Sequence, residues 1–457
     1  MSDTTTGTRT DAALARAHEH ATRWLHSLHD RPVPPQVGVD EVADALGRDL
    51  PDGPSPDEQV VDLLAEACEP GLTAMPSGRF FGFVVGGSQP AALAADWLVG
   101  SWDQNAAMRQ VTPAVAAVEE IASGWLVDLL GLPAATGVGF ATGATTANFT
   151  AVLAGRDSLL RRAGWDVARG LAGGPAIRVL AGRERHDSVD LALRYAGLPS
   201  PELVDVDREG RVVPESLRDA LDRAQGTPTL VLLQAGNLHS GGCDPFEECI
   251  RIAHDHDAWV HVDGAFGLWA AASPTYRHLT AGVEGADSWA TDAHKTLNVP
   301  YDCGVVLVRD AAALTAAMSM HGDYLIQDDA DAFARVPEMS RRARGVPVWA
   351  ALRASGRSGV AETVDRLCGH ARTFAEAIGT IDGARVVNDV VFTQVCATFG
   401  DDDTTRAVVA RMLEDGTAWT TGSRWRGRAV LRISVSNAST TDEDVARTVE
   451  ALRRAAR

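Results

Sequence analysis

Short, nearly continuous apolar runs alternate with helical segments through the middle of the chain, and this alternation constrains the fold more than any other feature. Such runs suit strands that are buried on both faces of a mainly parallel sheet. Strands separated by helices are typical of α/β folds. The predicted strands are Ile177–Leu180, Thr229–Gln234, Ala258–Val262, Ser288–Ala290 and Gly304–Val308, and the predicted helices include Thr112–Leu130, Pro214–Arg223 and Pro245–His256.

The two ends of the chain follow different patterns. Residues 12–70 have helical patterning broken by prolines, which predicts an N-terminal helical arm. After Val346 the sequence predicts a long helix to about Ile378, three strands and a last helix that begins near Thr441. The three strands are Ala384–Val387, Val390–Thr398 and Ala429–Ser434. We therefore predict an arm over residues 1–85, a large α/β domain over 86–350 and a small α+β domain over 351–457.

Charge and cysteine usage exclude several classes of protein. The net charge of −19 argues against nucleic acid or an anionic membrane as a partner, because both require a basic surface. No apolar run approaches the length of about 18 residues that a membrane span needs, and the polar N-terminus has no signal-like segment. The six cysteines are scattered and form no CxxC pair, which is typical of reduced thiols. We expect a cytoplasmic protein without a metal site.

The basic residues show one exception to a strong bias. Of 42 basic residues, all but Lys295 are arginine. Arginine replaces lysine in most salt bridges, but it cannot replace a primary amine that must lose its proton. Lys295 is therefore a candidate for Schiff-base or general-base chemistry, with chance survival as the alternative.

Polar motifs follow the predicted strands at their carboxyl ends, where α/β sheets bind ligands. Asp263 follows one strand, His186 another, and Asp292-Ala293-His294-Lys295 a third. A Gly-rich turn with Gly143, Ala144 and Thr145 opens a helix and offers backbone N–H groups to a phosphate. An acid, a lysine, an imidazole and a phosphate cradle together suggest pyridoxal phosphate (PLP), with the lysine on its aldehyde and an Asp on its pyridine nitrogen.

At this point the sequence resembles the group II PLP-dependent amino-acid decarboxylases, which have the aspartate-aminotransferase fold, called fold type I. The resemblance extends from about Arg79 to Leu452. Its motifs are Arg79–Phe83, Thr112–Ala114 with Glu119 and Trp125, His186–Val189, His261–Ala265, Asp292–Lys295 and Asn298–Cys303.

The resemblance implies a role for each motif. It implies that Lys295 carries the cofactor, that Asp263 contacts the pyridine nitrogen, and that His186 and Ala265 cover the two ring faces. The resemblance also implies that His294 lies near the phosphate. The predicted cofactor-binding residues are Gly143, Ala144, Thr145, His186, Asn237, Asp263, Ala265, Asp292, His294 and Lys295, and the predicted catalytic residues are Lys295, Tyr324, His186 and Asp263.

The family also carries a mobile loop with a Tyr-Leu pair 29 residues after the lysine, and Tyr324-Leu325 has that spacing. The implied role of Tyr324 is to return a proton to the substrate carbon after CO₂ leaves. Ser340–Arg344 and Trp349 resemble the segment that closes this loop.

Three positions depart from the family pattern. Thr146 replaces an acid in the phosphate turn, and Thr296 follows the lysine where Trp is common. Asn237-Leu238-His239 replaces a segment that usually contains Thr-Thr, so a hydroxyl near the cofactor 3-oxygen is missing at Leu238, and Asn237 or His239 takes its place.

The substrate pocket is predicted from the same resemblance. Phe83, Val84, Trp102 and Asn105 are the candidate substrate residues, with part of the pocket donated across a homodimer interface. No Lys or Arg lies between Phe80 and Met108, whereas a substrate with a second carboxylate would require one. We therefore expect decarboxylation of a neutral or aromatic L-amino acid. The alternatives are aldehyde-forming oxidative deamination, transamination, carbon–carbon lyase chemistry, or a non-catalytic relative, and the retained Lys295 argues against the last.

Overall fold

A seven-stranded sheet forms the centre of the molecule. The structure, a computed structural model, describes residues 4–223, 225–319 and 331–457. The strands are β1 Gly137–Ala141, β2 Arg178–Gly182, β3 Glu202–Val204, β4 Thr229–Gln234, β5 Trp259–Asp263, β6 Ser288–Asp292 and β7 Gly304–Val308. Their order is β1-β7-β6-β5-β4-β2-β3. The pairs among β2 to β6 are parallel, and β7 is antiparallel to β6 and β1. The mainly parallel sheet is confirmed, and the five predicted strands are present.

Both faces of this sheet are buried, which explains the continuous apolar runs. In β7, Val305 and Leu307 join one hydrophobic cluster, and Val306 and Val308 join another. Successive residues of a strand point to opposite faces, so each cluster lies on one side of the sheet. The helices of this region are α4 Pro90–Trp102, α5 Pro113–Leu129, α6 Ala144–Arg162, α7 Asp187–Tyr195, α8 Pro214–Asp222, α9 Phe246–His254 and α10 Ala311–Met318.

The register brings several strand ends together. Asp263 at the end of β5 lies opposite Gln234 of β4 and Ala290 of β6. Gly304 of β7 lies between Ala141 of β1 and Asp292 of β6. A Cβ on Gly304 would lie 2.3 Å from the carbonyl carbon of Gly143, so only glycine fits there. The turn after β1 therefore lies beside the end of β6.

The first helices of the chain are α1 Thr4–Ser27, α2 Val39–Leu46 and α3 Asp57–Cys68. Asp62 of α3 holds α1, because its Oδ1 lies 2.7 Å from Arg16 Nε and 2.7 Å from His20 Nε2. Neither α2 nor α3 contains a buried residue. The buried Arg79 guanidinium then donates to the carbonyls of Leu28, His29 and Arg31 and to that of Thr417, which ties these helices to the C-terminal region.

The C-terminal region is a four-stranded antiparallel sheet with helices. Its elements are α11 Gly345–Ile378, β8 Ala384–Val386, β9 Gln394–Phe399, α12 Asp402–Asp415, β10 Thr421–Trp425, β11 Arg428–Ser434 and α13 Asp442–Ala455, with strand order β10-β11-β9-β8. Thr441 caps α13, as its sequence position predicts, by accepting the N–H of Asp444. The predicted domain boundary after residue 350 falls within α11, which is kinked at Gly356. The three-part division stays a prediction. Within the described ranges, no helix is both long and apolar enough to cross a membrane.

Candidate active site

A cavity of about 390 Å³ lies at the carboxyl ends of the parallel strands. This volume falls within the range of about 300–1,000 Å³ that is usual for small-ligand sites. The sequence-predicted residues that line it are Phe83, Val84, Gly143, Ala144, Thr145, His186, Asp263, Ala265, Asp292, His294 and Lys295. The strand ends thus bring together residues that lie far apart in the sequence.

Lys295 lies in a turn that starts where β6 ends. Backbone N–H groups of Ala293 and His294 donate to the carbonyl of Cys303, which fixes the turn. A Cβ on Gly86 would lie 2.1 Å from the carbonyl oxygen of Lys295, so only glycine fits at position 86 beside this turn. Lys295 Nζ lies 2.8 Å from Asp292 Oδ2. The single lysine therefore extends into the cavity with a carboxylate as its partner.

The Gly-rich turn forms the N-terminus of α6. Ala144 is the first residue of this helix, and its N–H donates to Asp292 Oδ1 at 2.6 Å. Helix N-termini attract anions because their N–H groups are free and the helix dipole is positive there. Thr146, which replaces the family acid, lies with its hydroxyl 2.9 Å from that of Thr142. The turn has the form of an anion cradle.

Asp263 is the last residue of β5, and its side chain lies buried at the base of the cavity. Its Oδ1 accepts the N–H of Ala265 at 3.2 Å. Burial raises the pKa of Asp263, while the charges of His186 and Lys295 act in the opposite direction. The carboxylate thus lies at a position where a further cation would stabilise its charged form.

His186 is the N-cap residue of α7. Its Nδ1 accepts the backbone N–H of Ser188 at 3.2 Å and lies 2.8 Å from the Ser188 hydroxyl. This contact sets the orientation of the ring, which is exposed at the cavity. An exposed aromatic ring with a fixed orientation can stack on a planar ligand.

His294 and Tyr301 form a stacked pair on the lysine turn. Their ring centroids are 4.2 Å apart, and His294 Nδ1 accepts the N–H of Cys303. Burial lowers the pKa of His294 and raises the pKa of Tyr301 to about 12. Tyr301 also lines the cavity, although the sequence argument assigned it no role. The sequence signal that could have identified Tyr301 is its position in the Asn298–Cys303 motif, which resembles the family pattern.

The departure at residues 237–239 has a structural explanation. Asn237 is buried, and its Oδ1 accepts the N–H groups of His239 and Ser240, so it stabilises the turn and does not line the cavity. Leu238 lines the cavity. His239 stacks on Trp425 and lies 2.8 Å from the Ser423 hydroxyl, and burial lowers its pKa to about 4.

Arg432 of β11 also lines the cavity, and sequence reasoning missed it. Its Nη1 donates to the carbonyl of Leu238 at 3.2 Å and its Nη2 to that of Phe83 at 3.1 Å. Its Nε is buried without a hydrogen-bond partner. A buried guanidinium with a free N–H can take an anionic group of a ligand.

Besides Asn237, the predicted residues Trp102 and Asn105 do not line this cavity. Trp102 ends α4 with 48% of its surface exposed. Asn105 Oδ1 accepts the N–H of Arg341 at 3.1 Å, and Asn105 is not among the residues that line the cavity. Tyr324 lies outside the described residues. Within the described range 331–457, Arg341 forms two hydrogen bonds with buried Glu119, at 2.9 and 2.6 Å.

The fold and the strand-end lysine define a PLP-dependent enzyme, and comparison with known proteins identifies its family. The pyridoxal-dependent decarboxylase conserved domain matches residues 41–399. Tryptophan decarboxylase 1 of Oryza sativa subsp. japonica is 28% identical over 461 residues, covering 93% of this chain and 89% of that protein. Cysteine sulfinic acid decarboxylase of Homo sapiens is 28% identical over 333 residues, covering 70% of this chain and 67% of that protein. The crystal structure of Oryza sativa TDC with PLP and tryptamine has a TM-score of 0.90 at 25% identity, covering 98% of this chain and 97% of that one.

The chain therefore belongs to the pyridoxal-dependent decarboxylases. The predicted fold type I, the PLP cofactor and the activity of a PLP-dependent amino-acid carboxy-lyase are confirmed.

Proposed function

We propose that the protein decarboxylates a neutral or aromatic L-amino acid to its amine and CO₂. The observation that carries this proposal is the apolar part of the cavity lining, which comes from Phe83, Val84, Val85, Leu238 and Phe266. Burial of an apolar side chain there gains about 25 cal/mol per Å². The names of the two relatives given above specify one aromatic and one acidic substrate, and this lining favours the aromatic kind.

Arg432 supports the same substrate class. Among the described lining residues it is the only arginine. An acidic amino acid would bring two carboxylates to this cavity, whereas a neutral one brings a single α-carboxylate for Arg432 to bind. Two of its five N–H groups donate to carbonyls, so three remain for a carboxylate, the Nε–H among them.

The cofactor-site residues fit PLP. Asp263, whose pKa burial raises, gains a cationic partner in the pyridine nitrogen. His186 and Ala265 would cover the ring, Lys295 would hold the aldehyde carbon, and the N–H groups at Gly143–Thr145 would hold the phosphate with His294 beside them. PLP supplies an electron-accepting ring for the electrons of the broken carbon–carbon bond. The residues of the chain orient the carboxylate, exclude water and hold the protons.

Tyr324 is proposed to return a proton to the substrate carbon. A phenol donates a proton where a phenyl ring cannot. The segment that follows it is anchored by the buried pair of Arg341 and Glu119, whose side chains are 1% and 6% exposed. This pair fixes Arg341, which belongs to the Ser340–Arg344 segment that resembles the loop-closing segment of the family.

A second copy of the chain is the proposed partner. Large apolar side chains are exposed on α3 and α4, namely Leu63, Leu64, Trp97, Leu98 and Trp102. Exposed apolar patches mark interaction surfaces, and a homodimer would cover them. Trp102 does not line the cavity of its own subunit, so we propose that it reaches the site of its partner. Mixing Lys295→Ala chains with Trp102→Ala chains restores activity if the sites are shared, and a fully active monomer would contradict the proposal.

The six cysteines are free thiols in the structure. This supports the proposed cytoplasmic location, since free thiols persist in reducing compartments.

A panel of L-amino acids tests the substrate proposal. The holoenzyme is incubated separately with tryptophan, tyrosine, phenylalanine, leucine, glutamate, aspartate and cysteine sulfinate, and amine, aldehyde and keto acid are quantified. We expect the highest kcat/KM for an aromatic or neutral member, with amine as the product. Faster turnover of an acidic member, or aldehyde as the main product, would overturn the proposal.

A further inference from the structure

Asn298 is a buried amide on the lysine turn that does not line the cavity. It lies three residues after Lys295, with 1% of its surface exposed and a φ of +56°. This left-handed backbone conformation favours glycine, asparagine and aspartate. Of these, only asparagine has an uncharged side chain that both donates and accepts hydrogen bonds.

The amide nitrogen of Asn298 holds the backbone of the lysine turn. Its Nδ2 donates to the carbonyl of Lys295 at 2.9 Å and to that of Thr296 at 3.0 Å. It also donates to the carbonyl of Ser436, two residues after β11 ends, at 2.9 Å. The lysine turn is therefore bound to the chain that leaves β11, the strand of Arg432.

The amide oxygen of Asn298 holds a second part of the cavity wall. Its Oδ1 accepts the N–H of Gly87 at 2.7 Å and that of Ala438 at 2.8 Å. Among the described residues, neither N–H has another acceptor. Gly87 follows residues 83–85, which line the cavity. One side chain thus joins the lysine turn, the apolar lining and the segment after β11.

We propose that Asn298 is a positioning residue, which holds Lys295 in register with the substrate-binding parts of the cavity. A misplacement of about 1 Å between reacting groups costs about a hundredfold in rate. Three donated and two accepted hydrogen bonds of one buried amide restrict the turn to one position. The inference rests on the proposed roles of Lys295 as the cofactor lysine and of Arg432 as the partner of the substrate carboxylate.

The contacts of Asn298 also couple its two sides. The lysine turn is more restricted when Lys295 holds PLP, and a restricted turn keeps Oδ1 against the N–H of Ala438, which is not part of the cavity lining. In the wild-type enzyme, hydrogen exchange of the Ala438 amide should therefore be about tenfold slower with PLP bound than without it. This measurement requires no variant.

Three variants separate the contacts. Asn298→Gly keeps the positive φ and removes the whole amide. Asn298→Asp keeps an oxygen for the two accepted N–H groups but loses the N–H groups that hold the lysine turn. Asn437→Gly is the matched control, because Asn437 is an amide with 2% of its surface exposed that donates to the carbonyls of Pro76 and Ser77 and to none in the lysine turn.

All three variants should unfold at a lower temperature, because each leaves buried polar groups without partners. Only the two Asn298 variants should bind PLP more weakly in equilibrium dialysis, by at least about tenfold. PLP is achiral, so its visible circular dichroism reports how the site holds it, and this signal per bound PLP should change in the same two variants. Their kcat per bound PLP should fall by at least about tenfold. Asn437→Gly should keep the wild-type values of all three quantities.

Wild-type PLP affinity and circular dichroism in a folded Asn298 variant would overturn the proposal, as would equal changes in Asn437→Gly. Unchanged exchange at Ala438 on PLP binding to wild type would overturn it even if every variant misfolds. Borohydride reduction and peptide mapping of wild type test the proposed site separately. If PLP is captured at Lys295 but these results are negative, only the role of Asn298 fails. If PLP is captured elsewhere, the proposed site fails as well.

Discussion

Loss of the Glu119 charge should weaken the contact between α5 and the start of α11. Glu119 binds Arg341 through two hydrogen bonds and also accepts the N–H of Gly345 at 3.1 Å. Both side chains are buried. Burial acts to lower the pKa of the Arg341 guanidinium, but the Glu119 carboxylate and its hydrogen bonds contribute to a net rise. Glu119→Gln keeps the shape but leaves a buried guanidinium without its counter-charge. Breaking a buried pair in this way costs about 3–5 kcal/mol.

Hydrogen exchange measures this cost locally. Peptides from α5 and from the first turns of α11 should exchange about a hundredfold faster in Glu119→Gln, as expected for a loss of about 3 kcal/mol in local stability. Asp128→Asn is the matched control, because Asp128 pairs with Arg357 at the surface, with 74% and 60% of the side chains exposed. Its effect should stay below about 1 kcal/mol. Adding Arg341→Met to Glu119→Gln should restore most of the protection. Equal protection in Glu119→Gln and Asp128→Asn would refute the argument.

Three further predictions concern the reaction. Asp263→Asn removes a buried charge partner, so the activation free energy of turnover should rise by about 3 kcal/mol or more and PLP affinity should weaken. Near-normal kcat in a steady-state assay would show that Asp263 does not hold the pyridine proton. Tyr324→Phe should bind substrate as wild type does but release amine slowly, with aldehyde, ammonia and peroxide formed under air, whereas amine at the wild-type rate without aldehyde would show another proton donor. Arg432→Met should raise KM at least about tenfold through loss of a charge-assisted hydrogen bond, and an unchanged KM would show that Arg432 does not bind the substrate.

The strand-end motifs could be predicted because parallel strands place their carboxyl ends at one edge of the sheet. Lys295, Asp263, His186 and the turn at Gly143 meet in one cavity for this reason. The direction of each strand could not be predicted from the sequence in the same way. The run Gly304–Val308 is buried on both faces like its parallel neighbours, yet it is antiparallel to them, and periodicity does not distinguish the two cases.

The missed features have identifiable physical causes. β1 was not predicted, since Gly137 and Gly139 weaken the strand pattern. The structure requires these glycines, because a Cβ on Gly139 would lie 2.6 Å from the carbonyl oxygen of Arg335 and one on Gly137 would lie 2.9 Å from Ala311 Cα. Arg432 was missed because β11 reaches the cavity only through the packing of the C-terminal region, which no local motif indicates.

Release of labelled CO₂ tests the central claim most directly. The holoenzyme and Lys295→Arg are each given the preferred substrate of the amino-acid panel with ¹³C in the carboxyl group, and labelled CO₂ and amine are quantified together. We predict equal amounts of CO₂ and amine from wild type and neither from Lys295→Arg, because a guanidinium does not form the Schiff base. Undiminished release of CO₂ and amine by Lys295→Arg would contradict the account.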